Sequence, residues 1–289
     1  MLQLDGERAN TGWAMKVDGT ESSTEGSALD PSRVCFLAMG EGPEVVLVHG
    51  LGQDHRAWGT LQRELARGFR TYAYDLRGHG GTPVGEASGT LAQLGSDLVV
   101  FLDWLGARPR ALVGYSLGGT VVLWVAARRP DLVSKVVAIA TSSVVGERAV
   151  AGYQREIEIL TGRDREAIRE MISEHIAMTA HKPVSGLQEV VNYELECIGD
   201  GEGFRNAATA MIRLRQEPLT PELGRIQVPV LLIGGAHDRF CPPKAQHIML
   251  EALPNGRYVE LADAGHRVLE EAGGAVLAAV RSFLEESSG

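Results

Sequence analysis

The strongest constraint on the fold is a series of seven short apolar runs separated by longer amphipathic stretches. Most runs are rich in β-branched residues and are continuous, which is typical of strands buried on both faces of a parallel sheet. The stretches between them, such as residues 90–105 and 117–129, carry helical patterns. This alternation predicts an α/β fold with a mostly parallel central sheet and helices on both faces. The runs are VCFL from Val34, EVVLVHG to Gly50, FRTYAYD to Asp75, RALVG to Gly114, KVVAIA to Ala140, VPVLLIGG to Gly235 and RYVELAD to Asp263.

Two segments depart from this alternation. Residues 1–31 are polar and rich in Gly, Ser, Thr and Glu, so we expect a loosely ordered N-terminal extension. Residues 144–224 contain charged helical stretches and no strand-like run, which predicts a helical insertion between two strands. The α/β core would then comprise residues 32–143 and 225–289.

Composition narrows the class of protein. The chain has 289 residues and a formal net charge of -9 at pH 7, which argues against nucleic acid or an anionic membrane surface as a partner. No apolar run approaches the length of a membrane-spanning helix, and the first residues lack the pattern of a signal peptide. Three widely spaced cysteines, Cys35, Cys197 and Cys241, favour a reducing compartment over a disulfide framework or a zinc site. We therefore expect a cytoplasmic protein without metal or cofactor; the oligomeric state is left open.

The candidate nucleophile is a serine in the stretch LVGYSLGG. Ser116 lies between a strand-like run and a helical stretch, with Gly114 two residues before it and Gly118 two residues after it. A G-x-S-x-G turn between strand and helix lifts the serine hydroxyl above the sheet and directs the next helix N-terminus at it. By itself this pattern leaves open an ordinary glycine-rich turn.

Two later strand ends supply partners for this serine. Asp238 follows the run that ends at Gly235, and His266 follows the run that ends at Asp263. A serine hydroxyl needs a positioned base, and the base needs a carboxylate that orients it. Because the carboxyl ends of parallel strands meet at one edge of the sheet, we expect the three side chains to converge there.

The stretch HGLG, which begins at His49, predicts the remaining part of the site. It follows the second strand-like run, in a loop that can supply one N–H group to an oxyanion hole. The expected donors are the backbone amides of Leu51 and Leu117, whose side chains take no part in the chemistry. His49 itself is interpreted as a structural histidine beneath the loop.

Four motifs in order now carry a family resemblance: HGLG, DLRGHGGT from Asp75, GYSLGG, and the pair AHDRFCPP and AGH. From about Val34 to the C-terminus the chain resembles the α/β-hydrolase superfamily. The resemblance implies a catalytic triad of Ser116, Asp238 and His266, and a helical cap over the site at residues 144–224. Within this superfamily, the chain is most similar to the esterase and enol-lactone hydrolase branch.

Other branches of this superfamily match the sequence less well. Serine instead of aspartate at the turn argues against haloalkane dehalogenases and epoxide hydrolases of this fold. Arg267 stands where carbon–carbon hydrolases often carry tryptophan, and Leu51 stands where cofactor-free haloperoxidases commonly have an aromatic residue.

The expected activity is hydrolysis of a small-molecule carboxylic ester or lactone through an acyl-enzyme on Ser116. The residues that bind the substrate remain unknown. One alternative keeps the triad but cleaves a carbon–carbon bond, or acts as a cofactor-free lyase or oxygenase, on an aromatic or polyketide substrate. Arg213 and Arg215 are candidates to stabilise a carbanion in that case. The other alternative is a ligand-binding protein of this fold with slow or no turnover.

Overall fold

The central element of the protein is a seven-stranded sheet. The computed structural model describes residues 29–286. The strands are β1 (Phe36–Met39), β2 (Glu44–Val48), β3 (Arg70–Tyr74), β4 (Arg110–Tyr115), β5 (Val133–Ile139), β6 (Val230–Gly235) and β7 (Gly256–Leu261). Their order is β1-β3-β2-β4-β5-β6-β7, and all neighbouring pairs are parallel except β1 with β3. All seven predicted runs therefore form strands, and the predicted α/β fold is confirmed.

The two edge strands differ from the prediction of strands buried on both faces. β1 is antiparallel and only half-buried along its length, and β7 has one buried residue, Leu261. An edge strand has a neighbour on one side only, so its faces are less completely covered than those of the central strands. The first run also forms its strand two residues late, because Val34 ends a short 3₁₀ helix, Pro31–Arg33.

Ten α-helices accompany the strands in residues 29–286. They are α1 (Gly59–Leu65), α2 (Leu91–Trp104), α3 (Leu117–Arg128), α4 (Glu147–Gly162), α5 (Arg165–Thr179), α6 (Leu187–Ile198), α7 (Glu202–Arg213), α8 (Pro243–Ala252), α9 (Val268–Glu271) and α10 (Gly273–Glu285). The helix predicted at residues 90–105 begins after Thr90, whose hydroxyl accepts from the amide of Gln93 as an N-cap. The helix predicted at residues 117–129 ends at Arg128, shortly before Pro130.

Helices α4–α7 lie between β5 and β6, where the sequence predicts an insertion. Within residues 144–224 the structure contains helices and no strand. These helices share an apolar cluster of their own, and Ala207, Ala210 and Met211 of α7 also belong to a cluster that covers the sheet. Most of the predicted N-terminal extension lies outside the described residues; Leu29, near its end, is buried in the core. The domain division as such stays a prediction.

Alternation along the strands distributes the core over both faces of the sheet. In β2, Val45 and Leu47 belong to one apolar cluster, whereas Val46 and Val48 belong to the other. The sheet is therefore covered on both faces, and the loops after its parallel strands lie at one edge. None of the helices in residues 29–286 combines the length and apolar character needed to span a bilayer.

Candidate active site

Ser116 occupies a strained turn between β4 and α3. Its backbone has φ 51° and ψ -117°, a conformation that residues with a side chain rarely adopt. A Cβ atom at Gly114 would lie 2.2 Å from the carbonyl oxygen of Gly118, and one at Gly118 would lie 2.0 Å from that of Val48. Both contacts are with backbone atoms, which cannot move aside. Gly114 is therefore required by the closeness of β4 to the first turn of α3, and Gly118 by the closeness of α3 to β2.

The turn brings Ser116 to the predicted histidine. His266 Nε2 lies 3.0 Å from Ser116 Oγ, and His266 Nδ1 lies 2.8 Å from Asp238 Oδ2. A carboxylate can only accept, so Nδ1 carries the proton and Nε2 is free to accept from the serine hydroxyl. Asp238 and His266 are both buried, with exposed fractions of 3% and 7%. The three predicted side chains thus form one hydrogen-bonded chain.

Neighbouring groups hold the carboxylate and the imidazole in place. Asp238 Oδ1 accepts from the amides of Phe240 and Cys241, each at 2.8 Å. The amide of His266 donates to the carbonyl of Thr179 at the end of α5, and the hydroxyl of Tyr115 donates to the carbonyl of His266. The histidine loop is therefore fixed from the sheet and from the inserted helices at once.

His49 fixes the loop that carries Leu51. Its Nδ1 lies 2.7 Å from the carbonyl oxygen of Gly50, and its Nε2 accepts from the amide of Leu76 at 2.9 Å. Burial lowers the pKa of His49, which keeps the ring neutral as these two bonds require. In a trans peptide the C=O and N–H groups point in opposite directions. Because His49 holds the Gly50 carbonyl, the amide of Leu51 points away from His49, and no carbonyl in residues 29–286 accepts from it.

Leu117 is the first residue of α3. The amide of a first helical residue has no carbonyl partner within its own helix. The position of Leu117 next to Ser116 therefore leaves a donor beside the serine hydroxyl, as the sequence predicts. Assignment of the amides of Leu51 and Leu117 as an oxyanion hole remains a prediction.

A small cavity of about 40 Å³ lies over Ser116, with space for only a few water molecules. The inserted helices form one wall through Tyr153 of α4, His175 of α5 and Glu194 of α6. Phe240 and Arg267 come from the loops that carry the aspartate and the histidine. These wall residues were not predicted, because no local motif marks which side chains of an inserted helix face a site.

Ion pairs make this wall strongly polar. Arg267 donates from Nη1 to Glu194 at 3.0 Å and from Nη2 to Glu270 at 2.9 Å, while its buried Nε has no partner among the described residues. Burial raises the pKa of Glu194, and Arg267 offsets this only in part. Burial acts to lower the pKa of His175, but the hydrogen bond to Glu156 and the negative charges of Glu156 and Glu194 together raise it.

Two groups of side chains in residues 29–286 could supply ligands to a metal ion. They are Cys35, His55 and Asp75, and Asp238, Cys241 and His266; within each group the donor atoms lie within 4.8 Å of one another. In both groups the histidine already shares a proton with the aspartate, at 2.8 Å. An ion at either place would have to displace that proton.

Comparison with known proteins places the chain in a family. A family model described as the alpha/beta hydrolase fold matches residues 43–272. The chain belongs to the alpha/beta hydrolase family. The resemblance inferred from the four sequence motifs is thereby confirmed, and the protein is a hydrolase.

Several relatives of this hydrolase have names that refer to esters or lactones. It is 29% identical over 238 residues to a pimeloyl-acyl-carrier protein methyl ester esterase from Chromobacterium violaceum, with 79% of this chain and 89% of that protein covered. The solved enol-lactonase from Burkholderia xenovorans is 26% identical, with a TM-score of 0.76 over 90% of this chain and 99% of the other. A hydrolase from Pseudomonas aeruginosa is 27% identical, with a TM-score of 0.77 over 88% of this chain and 94% of the other.

Proposed function

We propose that this protein is a serine hydrolase that cleaves a carboxylic ester or lactone through an acyl-enzyme on Ser116. The observation that carries the proposal is the unbroken chain of hydrogen bonds from Asp238 through His266 to Ser116, at 2.8 and 3.0 Å. A strained turn that presents the serine, together with relatives named as an esterase and an enol-lactonase, supports the same reaction.

In the proposed mechanism His266 Nε2 takes the proton from Ser116 Oγ as the oxygen attacks the substrate carbonyl. Asp238 stabilises the resulting imidazolium. The amides of Leu51 and Leu117 donate to the oxyanion that develops in the transition state. His266 then gives its proton to the leaving alkoxide and next activates a water molecule, which releases the acid product from Ser116.

The inserted helices act as a cap in this proposal. The cavity of about 40 Å³ over Ser116 is too small for most esters, so α4–α7 or the loops against them move when substrate enters. The polar wall formed by His175, Glu194 and Arg267 favours an acyl group with hydrogen-bonding atoms over a long aliphatic chain.

The two arginines considered for carbon–carbon chemistry lie away from this cavity. Arg213 donates to the carbonyl of Ser88, and Arg215 lies 3.9 Å from Glu147. The guanidinium that lines the cavity is that of Arg267, and two carboxylates already bind it. This arrangement favours ester or lactone hydrolysis over stabilisation of a carbanion by a free arginine.

Parallel assays test the proposal. Purified enzyme is offered p-nitrophenyl esters of short acids, small lactones and a vinylogous diketone, with Ser116→Ala as the control. We expect turnover of an ester or a lactone that the control lacks. Turnover of the diketone alone would establish carbon–carbon cleavage instead, and no turnover of any substrate would favour a binding protein.

A further inference from the structure

The peptide unit between Ser116 and Leu117 consists of the carbonyl of Ser116 and the amide of Leu117. The inference drawn from it rests on the proposed function. The N–H of this peptide unit is one of the two proposed oxyanion donors. Its C=O points the opposite way, because a trans peptide is planar. Whatever holds that carbonyl therefore also sets the direction in which the amide of Leu117 points.

Thr141 holds this carbonyl. Its Oγ1 donates to the carbonyl oxygen of Ser116 at 2.6 Å, and the side chain is completely buried. The amide of Thr120 donates to the same oxygen at a longer distance, 3.2 Å, as part of the first turn of α3. The hydroxyl of Thr141 is thus the shorter contact and the only one from a side chain among the described residues.

The backbone around Thr141 is itself constrained to make this contact. Ala140, at the end of β5, has φ 45°, a left-handed conformation that is costly for a residue with a side chain. Its amide donates to Ile233 on β6 at 2.7 Å, and the carbonyl of Thr141 accepts from Gln246 on α8, also at 2.7 Å. Of the three non-glycine residues with positive φ in residues 29–286, two are therefore Ser116 and Ala140, on either side of the contact.

The Thr141 hydroxyl can donate only one hydrogen bond. Thr141 has one O–H, which it uses on the carbonyl of Ser116. The neighbouring hydroxyl of Thr120, 3.0 Å away, has the carbonyl of Ser142 as an acceptor at 2.9 Å. Both hydroxyls therefore have an acceptor when Thr141 donates to the carbonyl of Ser116 and Thr120 donates to the carbonyl of Ser142.

We propose that Thr141 is a positioning residue of the oxyanion hole, which aims the amide of Leu117 by fixing the carbonyl of the same peptide unit. It touches neither the substrate nor Ser116 Oγ in this role. Its effect is confined to the transition state, where negative charge develops on the oxygen that the amide of Leu117 stabilises.

The test compares Thr141→Val, which removes the hydroxyl at nearly constant shape, with Thr141→Ser, which keeps it. Loss of a whole oxyanion donor costs about 100- to 1000-fold in kcat, so misalignment of one should cost about 10- to 100-fold. For Thr141→Val we expect that loss in kcat, a nearly unchanged KM, and an equal loss of affinity for phenylboronic acid as a transition-state analogue. We expect Thr141→Ser to regain most of the activity.

Thr71→Val is the matched control. Thr71 is also completely buried, and its hydroxyl also donates to a backbone carbonyl, that of Met39, but it lies on β3 away from Ser116. We expect this variant to keep wild-type kinetics. If Thr141→Val does not fold, as judged by circular dichroism, Thr141→Ala is assessed by the same criteria.

Three outcomes would overturn the inference while the proposed function stands. They are wild-type kcat in Thr141→Val, equal impairment of Thr141→Ser and Thr141→Val, and a fall in kcat without loss of boronic acid affinity. A wild-type enzyme that neither hydrolyses esters or lactones nor binds phenylboronic acid would overturn the proposed function, and this inference with it.

Discussion

The turn around Ser116 and the inserted helices α4–α7 meet at one cavity but are built in opposite ways. The turn is held by backbone atoms at close range, with glycines where any side chain would collide with a carbonyl. The inserted helices contribute charged side chains that are paired, Glu156 with His175 of α5 and Glu194 with Arg267 of the histidine loop. The comparison suggests that the reacting groups need a fixed backbone, whereas the wall that faces the substrate is set by exchangeable side chains.

The largest expected difference between the two regions is in turnover. Removal of the nucleophile in a serine hydrolase lowers kcat by about a million-fold, and we expect a loss of that order for Ser116→Ala. His175→Gln, on the helical wall, should keep most of kcat and mainly change KM or the preference among acyl groups. Steady-state kinetics on a set of p-nitrophenyl esters checks both. Equal losses in kcat for Ser116→Ala and His175→Gln would contradict the proposed difference between the two regions.

Glycine replacements test the same contrast in stability. At Gly118 a methyl group would lie 2.0 Å from the carbonyl of Val48, so Gly118→Ala should cost more than about 4 kcal/mol or prevent folding. Gly152, within α4, has nothing within 4 Å of an added Cβ. Because alanine favours a helix over glycine, Gly152→Ala should stabilise by about 0.5–1 kcal/mol. Urea unfolding measures both; a stable Gly118→Ala protein would contradict the account of the turn.

The buried ion pair between Glu194 and Arg267 should make a smaller contribution to stability than Gly118. Glu194→Ala leaves the guanidinium of Arg267 without one of its two carboxylates, and breaking a buried pair from one side costs about 3–5 kcal/mol. We expect a loss at the lower end of that range, because Glu270 remains. Replacement of both Glu194 and Arg267 by Met should recover part of the loss. A double-mutant cycle with no coupling energy would show that the pair does not contribute.

The sequence also predicts the two regions to different extents. Continuous apolar runs ending at Gly114, Gly235 and Asp263 predict strands, and a parallel sheet brings its strand ends together, so the meeting of Ser116, Asp238 and His266 follows from pattern and topology. The edge strands deviated because the pattern does not tell which strand lacks a second neighbour.

The wall and the supporting contacts could not be predicted in this way. The pairing of Glu194 on α6 with Arg267 depends on how the inserted helices pack on the histidine loop, which no short motif encodes. The contacts of His49 and Thr141 are made to backbone carbonyls, so their geometry appears only once the turns are folded.

The smallest expected effect is the pH dependence of stability, to which His55 of the α/β core and His175 of the inserted helices contribute. In the core, the hydrogen bond to Asp75 raises the pKa of His55 to about 10. The ordinary value is about 6.5, so the pair stabilises fully below that pH, and the contribution is lost as the pH rises through 10. His55 is partly exposed, so we expect about 1 kcal/mol.

Chemical unfolding of wild type and His55→Gln at several pH values between 6 and 10.5 measures this contribution. The difference between the two proteins should be largest at the acid end and should shrink toward pH 10. His175→Gln should show the same sign, because the pKa of His175 is also raised, by Glu156 against the effect of burial. A difference that grows with pH would contradict both assignments.

Covalent labelling of Ser116 tests the central claim most directly. Wild-type protein and His266→Gln are incubated with a fluorophosphonate, and the labelled peptide is identified by mass spectrometry at successive times. We expect one label per chain, on Ser116, and a rate at least about 100-fold lower in His266→Gln, because the serine then lacks its base. Folded wild-type protein that takes up no label, or that labels Ser116 equally fast without the imidazole of His266, would contradict it.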